Sequence, residues 1–194
     1  MDELRAFIAI ELEPEILERI GALQAQLRQE VPEGLVRWVK PEGIHLTLQF
    51  LGDVPAARIE AIAEAMRQAC AAHAAFRFTI GGMGCFPDVR RPRVIWVGVD
   101  EPAGALLNLQ RAIVQAMKPL GFAPEKRPFS AHLTLGRVKE GRPAMLQALG
   151  ARVTQGGPEL GAQTATEVHL IRSDLRPSGA VYTTLAVAPL SPAP

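Results

Sequence analysis

The chain has 194 residues, 48% of them hydrophobic and 21% charged, with 21 basic and 20 acidic side chains and a net charge of +1. That is globular composition, long enough for one domain or two closely packed halves, and it excludes collagen-like and mainly disordered chains. No apolar run reaches the ~18 residues of a membrane span, Met1-Asp2-Glu3-Leu4-Arg5 lacks the basic-then-apolar order of a signal peptide, and the even charge balance does not suit a nonspecific DNA coat, so a soluble, cytoplasmic protein is expected.

Leu4–Ile10 reads as a buried strand, followed by a helix over Pro14–Glu30 whose apolar stripe is Ile16, Leu17, Ile20, Leu23 and Leu27. Pro14 suits the first helical turn. Val36–Val39 is a short strand, Pro41-Glu42-Gly43 a turn and Ile44–Leu51 a strand, with Asp53 placed to cap the next helix, Ala56–Ala72. Phe76–Ile80 and Arg93–Val99 read as strands joined by a loop rich in Gly, Pro and Arg. Ala103–Leu120 is a helix closed by Gly121, Ala131–Val138 a strand and Pro143–Leu149 a short helix. Strands over Thr164–Arg172 and Ala180–Ala188, joined by a turn at Pro177-Ser178-Gly179, precede a frayed tail, 191–194. The two cysteines, Cys70 and Cys85, offer no disulfide framework and no metal-ligand spacing, and Cys70 reads as a small core residue.

The chain repeats itself. Phe7-Ile8-Ala9-Ile10-Glu11-Leu12-Glu13-Pro14 has a counterpart in Ile95-Trp96-Val97-Gly98-Val99-Asp100-Glu101-Pro102, and the two prolines lie 88 residues apart. His45-Leu46-Thr47-Leu48 recurs as His132-Leu133-Thr134-Leu135 at an offset of 87. A second copy of that tetrapeptide arises by chance in roughly one such chain in several hundred. Two unlike landmarks at nearly one offset mark an internal duplication, about 4–90 and 91–190, each half reading strand, helix, His-strand, helix, strand.

Side chains alternate along a strand, so His45 and Thr47 share one face and Leu46 and Leu48 the other, and the second tetrapeptide repeats the arrangement. Two halves packed about a pseudo-twofold axis bring two imidazoles and two hydroxyls into one cleft. Imidazole titrates near neutral pH, so one copy serves as base while the other serves as acid. The pair suits in-line displacement at phosphorus, with the threonine hydroxyls donating to non-bridging oxygens; no metal or cofactor is required.

With these motifs the chain resembles the 2H phosphoesterases and, more narrowly, the RNA 2′,3′-cyclic phosphodiesterases also called 2′-5′ RNA ligases. The matching stretches are Arg5–Ile10, Arg37-Trp38-Val39, His45–Gly52, Gly84–Pro87, Arg93–Val99, Pro128–Arg137, Ser173-Asp174-Leu175 and Gly179 to Tyr182. The resemblance implies a bilobal α+β fold over residues 1–190, with two antiparallel sheets facing a central cleft and helices outside. It implies hydrolysis of a 2′,3′-cyclic phosphate at an RNA end to a 2′-phosphate, with His45 the proton donor and His132 the proton acceptor. The partner it implies is RNA, with no membrane and no obligate protein partner. The sequence departs from the family at Ala131, where proline is frequent, and at Gln49, where lysine is common and contacts phosphate.

Arg137 ends the second motif at a family phosphate-contacting position, but simple alternation points it away from His132 and Thr134; a bulge or strand end at Gly136 restores it. Lys126 and Arg127 precede the same strand, where a basic loop meets an RNA backbone. Arg90, Arg91 and Arg93 crowd one loop after Phe86-Pro87, an arrangement that tracks a single strand. Phe50 and Trp38 serve either base stacking or core packing. His73 and His169 read as structural or surface residues, and Tyr182 as packing for the last hairpin. Two other functions compete with hydrolysis: 2′-5′ ligation of tRNA-half-like ends, independent of nucleotide because no Gly-Lys-Ser/Thr loop is present, and noncatalytic binding of RNA ends.

Overall fold

The computed structural model describes residues 3–177 and 179–193. Met1 and Asp2, the central residue of the expected Pro177-Ser178-Gly179 turn, and Pro194 of the tail lie outside the described residues. The elements in chain order are β1 (Glu3–Ile10), α1 (Pro14–Glu30), β2 (Val36–Trp38), β3 (Leu46–Pro55), α2 (Ile59–Ala71), β4 (Phe76–Phe86), β5 (Val94–Asp100), α3 (Ala105–Met117), β6 (His132–Val138), α4 (Pro143–Thr154), β7 (Glu159–Ala165), β8 (Glu167–Arg176) and β9 (Gly179–Pro189). The fold is α+β, with two antiparallel sheets.

The first sheet runs β3-β1-β8-β9 and the second β2-β6-β5-β4-β7. Apart from the edge strand β2, the two orders correspond: β3 to β6, β1 to β5 and β8 to β4. Each sheet takes strands from both halves of the chain, so neither half completes a sheet by itself. The helices follow the same exchange. α1 leaves the first sheet and packs on the second, where buried Gln24 donates to the carbonyls of Val39 (2.8 Å) and Leu135 (2.9 Å). α2 and α3 pack on each other, with α2 against β8 and β9 and α3 against β3, while α4 contacts β4.

One face of the first sheet, with Ile8, Ile10, Leu46, Val54 and Leu170, joins the helices in the main core. Each such fully buried side chain contributes about 1.5–3 kcal/mol of hydrophobic transfer. The other face carries a separate small cluster, Phe7, Ala9 and Ile171, with Tyr182 packed against it. This small apolar cluster, on the face away from the helices, is the floor of the site described below.

Several elements differ from the sequence reading. Asp53 caps no helix: β3 continues through it to Pro55, with Asp53 paired to Arg5. β4 runs on from Ile80 to Phe86, because Gly81, Gly82 and Gly84 belong to the strand; an added Cβ at Gly84 would meet the Trp96 ring at 2.1 Å. The strand expected over Thr164–Arg172 is two strands, since the chain leaves the second sheet at Ala165 and enters the first at Glu167. α4 continues from Leu149 to Thr154. Ser191, expected to fray, is held: its hydroxyl donates to the Ala71 carbonyl (2.7 Å) and its amide to the His73 carbonyl (2.8 Å).

Candidate active site

The two tetrapeptides occupy equivalent strands. His45 immediately precedes β3 in the first sheet, and His132 opens β6 in the second; β3 and β6 approach each other across the sheets. Each strand carries a bulge at the same motif position. Ala9 pairs with Thr47 and Ile8 with Gln49, leaving Leu48 unpaired; Trp96 pairs with Thr134 and Ile95 with Gly136, leaving Leu135 unpaired. An extra residue reverses the alternation beyond it. Burial records the reversal identically in both copies: Leu46–Leu51 and Leu133–Val138 each run buried, half-buried, buried, buried, exposed, buried. Phe50 and Arg137, each five residues after its histidine, are thereby turned to the histidine face. Phe50 is 56% exposed, with its ring 6.0 Å from Phe7, so it sits on the histidine face and leaves the core to its neighbours. Gln49 lies on the opposite face, 2% exposed and with both amide atoms unpartnered among the described residues, so position 49 does not address a ligand on the histidine face.

His45 is seated in aromatics. Its ring stacks on Phe7 at 4.5 Å and 22°, and meets the edge of Tyr182 at 5.0 Å and 82°. The turn before it, Pro41–Gly43, fits only because Gly43 has no side chain; a Cβ there would lie 2.9 Å from Tyr182 Cε2. Burial strips water from the imidazolium and pushes the His45 pKa down to about 4. No hydrogen bond to its ring is present among the described residues.

His132 is held differently. Its Nδ1–H donates to the Ser130 carbonyl at 2.7 Å. A carbonyl only accepts, so Nδ1 carries a proton, and it is Nε2 that is left bare in the neutral form of the ring. The ring packs edge-on to Phe86 at 5.0 Å and beside Trp96 at 6.4 Å. Thr47 and Thr134 are half-buried, and their hydroxyls make no hydrogen bond to protein among the described residues.

Arg137 is exposed, and its positive charge, with that of Arg5, lowers the Tyr182 pKa against the larger upward push of burial. It therefore lies within electrostatic reach of the ring that packs on His45. Lys126 and Arg127 are exposed in the segment before β6, and Arg90 and Arg91 in the loop after Phe86. That loop is closed by the Arg90 and Arg91 amides donating to Asp88 Oδ1 (2.8 and 3.1 Å). No contact ties these four side chains to either histidine among the described residues.

Trp38 lies on the helix side beneath the Arg28 guanidinium, 5.8 Å from its ring centre. His169, read as structural, is buried in β8 beside Ala9, with Nε2 3.0 Å from Glu167. Tyr182 packs on His45 and Phe7 as well as closing the last hairpin. The aromatic seats of the histidines, Phe7, Tyr182, Phe86 and Trp96, were not among the sequence-derived site residues. The equivalence of Phe7-Ile8-Ala9-Ile10 to Ile95-Trp96-Val97-Gly98 carries part of that signal, because β1 and β5 each flank a histidine strand. Among the described residues no group of three or more His, Cys, Asp or Glu is placed to hold a metal ion, and no helix is long and apolar enough to cross a membrane.

The fold is a duplicated sheet pair with one His-x-Thr strand in each copy, and comparison with known proteins gives its family. The family model described as LigT like phosphoesterase matches the chain twice, over residues 10–96 and 97–182. The chain belongs to the LigT-like phosphoesterase family. A Methanothermobacter thermautotrophicus protein named RNA 2′,3′-cyclic phosphodiesterase is 34% identical over 187 residues, covering 95% of this chain and 98% of the relative. An Aquifex aeolicus protein of the same name is 31% identical, covering 94% of this chain and 95% of its own length. Among solved structures, a Thermus thermophilus protein superposes with a TM-score of 0.81 at 28% identity, covering 97% of this chain and 99% of that one. E. coli LigT in complex with 3′-AMP superposes with a TM-score of 0.76 at 27% identity over the same shares.

Proposed function

We propose that the protein hydrolyses the 2′,3′-cyclic phosphate at an RNA 3′ end to a 2′-phosphate, without a metal ion, through His132 as base and His45 as acid. The observation that carries the reading is the unequal seating of two equivalent histidines. His132 has Nδ1 committed to a carbonyl and so offers Nε2 as a proton acceptor. His45 has no such commitment. The names of the relatives supply the substrate class.

In the reaction, Nε2 of His132 takes a proton from water as the water oxygen attacks phosphorus. The P–O3′ bond breaks on the opposite side, and O3′ receives a proton from His45. The product is a 2′-phosphomonoester and a free 3′-hydroxyl. The Thr47 and Thr134 hydroxyls donate to the non-bridging oxygens, where charge accumulates in the transition state. Arg137 adds a positive charge on the same face, and Phe50 offers an exposed ring for the terminal base.

Phosphorus NMR of a 2′,3′-cyclic-phosphate oligonucleotide, digested in the presence of EDTA, tests this. The expected result is full conversion to the 2′-monoester. A 3′-monoester product, or loss of turnover on chelation, would overturn the reading.

A further inference from the structure

A cavity of about 170 Å³ lies where the chain passes from β1 to α1 and from β7 to β8. Glu11, Glu13, Glu167 and His169 line it. Among the described residues no lysine or arginine lines the cavity, and none pairs with these carboxylates. His169 is the member that calls for a ligand. Its side chain is only 10% exposed. Nε2 stands 3.0 Å from Glu167 Oε1, and a carboxylate only accepts, so Nε2 carries a proton. Nδ1 is buried without a hydrogen-bond partner among the described residues and faces Glu11 Oε1 across 3.6 Å. In the neutral ring that atom is a lone pair, so two acceptors face each other with no proton between them. A ligand carrying N–H groups satisfies both. The Glu11 side chain is 51% exposed beyond the end of β1 and receives one 3.3 Å hydrogen bond, from the Thr184 hydroxyl, so it has room to turn aside and admit such a group.

The place is separate from the reacting phosphate. The β1–β8 ladder pairs His169 with Ala9, and Ala9 pairs with Thr47 on its other side. His169 therefore shares the histidine face but lies two strand spacings, about 10 Å, from Thr47. Three carboxylates without a basic partner repel an anion. No group of three or more His, Cys, Asp or Glu among the described residues is placed to hold a metal ion. An organic cation with N–H donors fits both facts. Glu13, two residues beyond Glu11, gives the same cavity a second anchor for positive charge. We propose that this cavity binds an aliphatic diamine or polyamine, one ammonium donating to His169 Nδ1 and Glu11 while a second pairs with Glu13. A protein lysine, with a single ammonium, leaves Glu13 without a partner. The proposal is independent of the hydrolase reading.

The test is calorimetry together with long-range ¹H–¹⁵N NMR of the histidine rings, at one pH and ionic strength, with 1,4-diaminobutane, butylammonium, tetramethylammonium and N-acetyl-lysine amide. One diaminobutane is expected to bind per chain and to move the His169 Nδ1 resonance. It should bind about tenfold more tightly than butylammonium, the order set by one further charged hydrogen bond. Tetramethylammonium has no N–H and should leave that resonance in place. Glu11→Gln should weaken both amines about tenfold, whereas Glu13→Gln should remove only the advantage of the diamine. Glu140→Gln, which changes an exposed carboxylate on another part of the surface, should change neither. Absence of diamine binding overturns the proposal. So does an equal response to tetramethylammonium, or an equal loss in Glu11→Gln and Glu140→Gln, since either reduces the effect to charge screening. Binding of the lysine amide as tight as that of the diamine overturns it in favour of a protein lysine.

Discussion

His45 presents a protonation problem that leads to a measurable event. Its pKa in the free protein is about 4, because Phe7 and Tyr182 deny its charged form water. A proton donor must nevertheless be charged when the leaving oxygen departs. The substrate supplies the missing stabilisation. One phosphate charge about 4 Å from the ring, at an effective dielectric of about 20, is worth about 4 kcal/mol, or about three pKa units. That lifts His45 from about 4 to about 7 in the complex. Binding at pH 5.5 should therefore draw in roughly 0.9 proton per ligand, and affinity should fall nearly tenfold per pH unit between those two values. The assay is calorimetry of a 2′,3′-cyclic nucleotide binding to the inactive His132→Gln variant, in buffers of differing ionisation enthalpy at one pH. A cyclic phosphodiester does not titrate there, so the uptake belongs to the protein. Adding His45→Gln to the variant should abolish it. Uptake below roughly 0.2 proton, or uptake that survives removal of His45, would refute the acid role.

The same pKa has a consequence for stability. The folded value lies below that of the unfolded chain, so the unfolded state binds more protons between pH 6.5 and about 4. Stability from this group is complete above 6.5 and declines as pH falls to about 4, by at most about 3 kcal/mol. Urea unfolding of wild type against His45→Gln should show the difference between them appearing only in that window. Gly84→Ala should lower stability by about 1–3 kcal/mol, because the new methyl meets the Trp96 ring at 2.1 Å. It should also lower kcat, since the displaced ring packs beside His132; thermal melts and steady-state rates check both.

Local pattern carried much of this molecule. The recurrence of His-Leu-Thr-Leu and the Pro14 to Pro102 offset exposed the duplication, and the stripe of α1 was readable because 3.6-residue periodicity is a local property. The bulges were less legible. Leu48 and Leu135 look like ordinary core leucines, and whether a residue is paired depends on the register with β1 and β5. Alternation alone therefore left Arg137 facing away and allowed Phe50 a place in the core. β4 was shortened because Gly81, Gly82 and Gly84 read as loop, although Gly84 is glycine to admit the ring of Trp96 twelve residues on. The break between β7 and β8 had no local mark, since nothing around Thr166 shows that the chain changes sheets there. Tyr182 reaches His45 across 137 residues of sequence, a contact that strand order alone creates.

The central claim is the division of labour between His45 and His132, and leaving-group chemistry tests it most directly. In a cyclic phosphate with sulfur in place of O3′, the P–S bond breaks and the sulfur leaves as a thiolate without needing a proton. Single-turnover rates on this substrate and its oxygen parent, for His45→Ala and His132→Ala, separate acid from base. Both variants should lose about 10²–10⁴-fold on the oxygen substrate. The sulfur substrate should restore most of the rate to His45→Ala and none to His132→Ala. Rescue of His132→Ala alone would exchange the two roles, and rescue of neither would contradict acid–base catalysis by this pair.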